Sequence, residues 1–67
     1  MNVLELCSWR VDTNSFRLHV EAYVEDMGSC KASILLGDLS DWPETMEERI
    51  AFLEQHAEWF SVDEDGF

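Results

Sequence analysis

From Phe16 to Glu25 the chain alternates without a break. Phe16, Leu18, Val20, Ala22 and Val24 are apolar, and Arg17, His19, Glu21, Tyr23 and Glu25 stand between them. Successive side chains of a strand point to opposite faces, so this run dictates a strand with one buried face. Everything else in the fold has to supply that strand with neighbours and its apolar face with a cover.

Neighbours are legible on both sides. Upstream, Val3 to Val11 is rich in Val, Leu and Trp with imperfect alternation, and Asp12-Thr13-Asn14-Ser15 supplies turn residues before the second run. Downstream, Asp26-Met27-Gly28-Ser29 reads as a turn, with Gly28 free to take a positive φ. Cys30 to Leu36 then places Cys30, Ala32, Ile34 and Leu36 on one face. The expectation is an antiparallel meander of three strands, about 2–11, 16–25 and 30–36.

The cover is a C-terminal helix over about 44–60. Met46, Ile50, Leu53, Ala57 and Phe60 recur at steps of four and three, which makes one helical stripe. Two starts fit: Ser40 or Asp41 with Pro43 in the first turn, or Thr45 as N-cap with Glu48 three residues on. The predicted fold is α+β: a three-stranded antiparallel β-meander with one amphipathic helix on one face (βββα), a single domain over 1–67 with an acidic tail at 61–67.

Charge narrows the function. Fifteen Asp and Glu against four Lys and Arg give a net charge of −11, which repels nucleic acid and anionic membranes and favours cationic partners. The charge is uneven. Residues 1–37 hold five acids and three bases, whereas residues 38–67 hold ten acids and only Arg49 as a base. On a helical wheel with Glu44 as origin, the acids fall at about 0° (Glu44), 300° (Glu47), 40° (Glu48), 280° (Glu54) and 320° (Glu58), against a core stripe at about 160–240°. Packing such a helix on the sheet turns a row of carboxylates about 21 Å long outward, extended by Asp38 and Asp41 at one end and Asp63, Glu64 and Asp65 at the other. Charged outer faces of helices are ordinary. This one carries like charges on neighbouring turns with no Lys to offset them, each such pair costing a few tenths of a kcal/mol. On the same wheel Phe52, Trp59 and His56 lie beside the acids, either widening the contact with the sheet or forming an aromatic edge to an interface.

Other chemistries find little support. Asp63-Glu64-Asp65-Gly66 has the start of a calcium loop without its terminal Glu. Cys7, His19, Cys30 and His56 lack metal-ligand spacing. The serines have no nucleophile-elbow context and there is no phosphate loop, so no enzyme, metal or cofactor is expected. Cys7 and Cys30 are expected as buried, reduced thiols in a cytoplasmic protein, since no apolar run spans a membrane and the first residues lack the basic region of a signal peptide.

In length, charge and acidic band the chain resembles the small acidic proteins of bacteriophages and mobile elements that block host defence, among them DNA mimics and anti-CRISPR proteins. That group has no common signature, so the resemblance carries over no individual residue. It implies a stoichiometric inhibitor, acting in the bacterial cytoplasm, that occupies the Lys- and Arg-rich channel of a nucleic-acid-binding protein such as a CRISPR surveillance complex. The residues expected to meet that partner are Asp38, Asp41, Glu44, Glu47, Glu48, Glu54, Glu58, Asp63, Glu64 and Asp65, with Phe52 and Trp59 as apolar anchors. Two alternatives stand beside it. One is an interaction module that docks, or forms a weak homodimer, through Phe52, Trp59 or a sheet edge; the other is an acidic domain whose helix is simply solvated.

Overall fold

The uninterrupted alternation becomes the second strand of an antiparallel sheet in the computed structural model, which describes residues 2–62. Strands β1 (Val3–Asp12), β2 (Arg17–Val24) and β3 (Gly28–Leu35) follow one another as a meander. A 3-10 turn at Leu39–Asp41 leads to helix α1 (Met46–Glu54), and a second 3-10 turn at Ala57–Trp59 leads to β4 (Phe60–Val62). The architecture is α+β with one helix, as expected, but the sheet has four strands in the order β1-β2-β3-β4. The expected helix over 44–60 therefore stops at Glu54, and Ser61 and Val62, expected in an acidic tail, pair with Lys31 and Cys30. Asp63, Glu64 and Asp65 lie outside the described residues.

The imperfect alternation of β1 has a specific cause. Val3, Leu6, Trp9 and Val11 sit opposite Val24, Ala22, Val20 and Leu18 of β2, with register shifts between Val3 and Glu5 and between Leu6 and Ser8. Two β-bulges therefore absorb Leu4 and Cys7. They keep every apolar partner on the core face although its spacing is three, three and two. The bulges also interrupt an outer edge that would otherwise run ten residues, and the Glu54 carboxylate accepts the Val3 N–H at 2.9 Å, occupying one of its donors.

The turns follow side-chain chemistry. Asp12 Oδ1 accepts the backbone N–H groups of Asn14 (2.9 Å) and Ser15 (3.3 Å), closing the β1–β2 connection and holding the Asp12 carboxyl below its ordinary pKa. The β2–β3 connection is shorter than expected, residues 25–27, and Gly28 and Ser29 already belong to β3. Gly28 takes φ +81°, and a Cβ added there would meet nothing within 4 Å. Gly28→Ala thus isolates the left-handed backbone cost, expected at about 1 kcal/mol of lost stability. Chemical denaturation with an unchanged midpoint would contradict it.

Leu18, Ala22, Val24, Cys30 and Ile34 on the sheet and Leu53 on α1 are fully buried, joined by Val3, Leu6, Val20, Ala32, Leu36, Trp42 and Phe60. Over β1, Trp42 packs edge-on to Phe52 (5.6 Å) and tilted to Trp9 (6.5 Å). Arg49, the lone base of the second half, lays its guanidinium 4.7 Å from the Trp9 ring centre and 5.5 Å from that of Trp42, and donates from Nε to the Pro43 carbonyl at 2.7 Å. Its charge is used inside the fold, where a cation over an aromatic face contributes about 0.5–2 kcal/mol.

Of the two cysteines, expected to be buried, one differs from expectation. Cys30 is buried, and desolvation pushes its thiol pKa up, but Cys7 is exposed at the second bulge, and both are free. A strand lies between them, since Leu6 pairs with Ala22 and Ala22 with Cys30. Two inter-strand steps of about 4.8 Å exceed the reach of a disulfide. A thiol reagent should therefore titrate one cysteine in the native protein and two in denaturant; two fast native equivalents would contradict this placement.

Candidate functional site

Each end of the acidic segment is set by local hydrogen bonding. Asp38 caps the first 3-10 turn, its Oδ1 accepting the Ser40 backbone N–H (2.8 Å) and hydroxyl (2.7 Å), while Asp41 Oδ2 accepts the Asp38 N–H (3.0 Å). The Ser40 donors hold the Asp38 carboxyl below its ordinary pKa. Thr45 caps α1, accepting the Glu48 N–H at 3.2 Å, and its hydroxyl donates to Glu48 Oε1 at 2.8 Å. The Thr45 start is the one α1 uses, whereas Ser40 and Asp41 lie inside a separate 3-10 turn that Asp38 caps and that ends before Pro43. Glu47 and Glu48 occupy the first turn of α1, where the helix dipole favours negative charge.

The helix ends without Gly or Pro. The His56 N–H bonds to the Leu53 carbonyl (3.0 Å), and the imidazole Nδ1–H donates to the Phe52 carbonyl (2.7 Å). Side-chain and main-chain donors of one residue therefore satisfy two of the last carbonyls and turn the chain into the second 3-10 turn.

This ending redraws the expected surface. Asp38, Asp41, Glu44, Glu47 and Glu48 are all exposed within residues 38–48. Glu54 is half-buried and tied to β1 through Val3, so it leaves the outward band. Glu58 is exposed, but on the 3-10 turn after α1 and out of phase with it. The continuous row of about 21 Å is accordingly replaced by five exposed acids over residues 38–48, on the 3-10 turn, the segment after it and the first turn of a nine-residue helix.

Phe52 and Trp59 also part company. Phe52 is half-buried against Trp42 and stacks on His56 at 4.2 Å, which makes it a margin of the core. Trp59 is 40% exposed and lines a depression with His19, Lys31 and Ser33 of the sheet. A wheel places them side by side only if one helix carries both.

The open face of the sheet holds what composition conceals. Register puts Glu5, Arg10 and Asp12 of β1, Arg17, His19 and Glu21 of β2, and Lys31 of β3 on the face away from α1. Three of the four bases stand there with three acids, so the charges of the described strand residues on that face balance. The remaining described residues carry nine acids against Arg49 alone. The molecule measures 31 × 24 × 18 Å, so even its shortest dimension exceeds twice the Debye length of about 8 Å at physiological salt. A partner approaching either side meets a different charge.

No protein-family model, curated protein or solved structure matches this chain. Among the described residues, no helix is long and apolar enough to cross a membrane.

Proposed function

We infer that the protein is a stoichiometric inhibitor whose acidic cluster, Asp38, Asp41, Glu44, Glu47 and Glu48, occupies a basic nucleic-acid-binding surface on another protein. A bacterial defence complex that must bind DNA, such as a CRISPR surveillance complex, is the partner type its size and charge favour. The observation that carries this reading is segregation: five exposed carboxylates within eleven residues on the helix side, with every base other than Arg49 on the opposite face. Fixed charges of one sign on a rigid element compete with a phosphate strand for Lys and Arg, and they speed association in a salt-dependent way.

The test couples capture to displacement. The tagged protein is exposed to bacterial lysate at low and high salt, and each captured protein is assayed for loss of duplex binding as the inhibitor is added. The expected result is a nucleic-acid-binding protein, captured at low salt, whose DNA is displaced at one equivalent. Capture that is indifferent to salt, or a partner that keeps its DNA, would sink the reading.

A further inference from the structure

Five exposed acids over residues 38–48 stand on two kinds of backbone. Glu47 and Glu48 belong to the first turn of α1, whereas Asp38, Asp41 and Glu44 lie on the 3-10 turn, its cap and the irregular segment after it. A helix fixes its own spacing. The irregular part has to be held from outside, because the hydrogen bonds of Asp38, Ser40 and Asp41 described above run within the turn.

The side chain that holds it is Arg49. From α1 its guanidinium reaches back six residues and donates from Nε to the Pro43 carbonyl at 2.7 Å. The same group lies 4.7 Å from the centre of the Trp9 ring on β1 and 5.5 Å from that of Trp42. Sheet, helix and irregular segment therefore meet at one cation. Trp42 itself is buried, and its indole Nε1 has no hydrogen-bond partner among the described residues. Ring contacts with Trp9, Phe52 and Arg49 are what seat it.

Charge alone would give Arg49 the opposite part. As the lone base among these acids it offsets their field, so a cationic partner would bind more tightly without it. Its surroundings point elsewhere, since the side chain is half-buried with its charge over two indoles and its Nε–H on a carbonyl. We propose that Arg49 is the positioning residue of the acidic surface: it fastens Trp42 and Pro43 to β1 and α1, and so sets where Asp38, Asp41 and Glu44 stand relative to Glu47 and Glu48. On the reading that these acids meet a basic partner, their arrangement then counts as well as their number.

The test sets Arg49→Gln against Arg10→Gln, which makes the same change of net charge, from −11 to −12, on the open face. NMR order parameters of the full chain read the fastening without any partner. In Arg49→Gln those of the amides between residues 38 and 44 are expected to fall from about 0.85 towards 0.6, with β2 and β3 unchanged. The binding probe is a helical peptide with a row of Arg on one face, titrated at low salt. Its affinity for Arg49→Gln should drop about three- to tenfold despite the added negative charge, because a loosened segment has to be ordered on binding. For Arg10→Gln it should hold or rise. Arg49→Lys keeps the charge and loses the planar fork, so it falls between and supplies both readouts if the Gln variant does not fold. Tighter binding by Arg49→Gln, or order parameters that stay at the parent's level, would overturn the proposal. A parent chain that ignores the peptide would instead remove the reading of the acidic surface, while the order parameters still judge the fastening.

Discussion

Leu53→Ala lowers the unfolding free energy by about 3 kcal/mol, whereas Met46→Ala, on the same helical stripe, costs less than about 1 kcal/mol. Leu53 is fully buried beneath α1 and Met46 is 46% exposed at its first turn. The Leu53 truncation removes three buried carbons and leaves a cavity that a two-and-a-half-turn helix cannot collapse without losing its other contacts with β1. For a chain of this length the whole stability is about 3–10 kcal/mol. The variant should therefore melt about 12–24 °C below the parent, or fail to fold cooperatively. Thermal circular dichroism on the two variants checks this, and equal costs would mean that α1 packs along its whole stripe.

The second large effect separates local from global charge. Glu44→Lys with Glu47→Lys changes the net charge from −11 to −7, and so does Glu5→Lys with Glu21→Lys on the open face. If the acidic cluster meets a basic partner, the first pair weakens binding by about thirtyfold or more, since each reversal replaces an attraction with a repulsion of similar size. The second pair changes it by less than about threefold, because a partner seated on the helix side lies more than a Debye length from the open face. None of these four side chains has a hydrogen bond described above. Glu47→Lys gives up about 0.3–1 kcal/mol of helix-dipole stabilisation, which circular dichroism will register separately from binding. Equal weakening by both pairs would show that total charge, and no particular surface, governs the interaction.

How far the sequence could be read depended on whether two periodicities disagreed. In residues 16–25 a period of two excludes a period of 3.6, and β2 is where it was expected. Thr45 and Asp38 are caps whose chemistry is local, so the start of α1 was legible to within its two alternatives. Ala57 and Phe60 extend the helical stripe, and nothing in the identity of an apolar residue reveals whether it reaches the core from a helix, a 3-10 turn or a three-residue strand. The signal that stops α1 is His56 reaching back to the Phe52 carbonyl, which a search for Gly or Pro passes over. That single misplaced boundary explains why Trp59 was grouped with Phe52 and why Glu54 and Glu58 were counted in one band. The balanced charge of the open face was hidden for a different reason. Bases spread over three strands gather only once the register is known.

The two bulges of β1 also determine which lengths of chain this sheet accepts. Removing Cys7 would leave Leu6 followed by Ser8, and removing Leu4 would leave Val3 followed by Glu5; either deletion removes one bulge and turns no remaining side chain over. The same excision within β2, which has no spare residue, would swap core and solvent faces for everything beyond it. Strand β1 thus carries its own slack and can lose one residue at either bulge while β2 holds the frame.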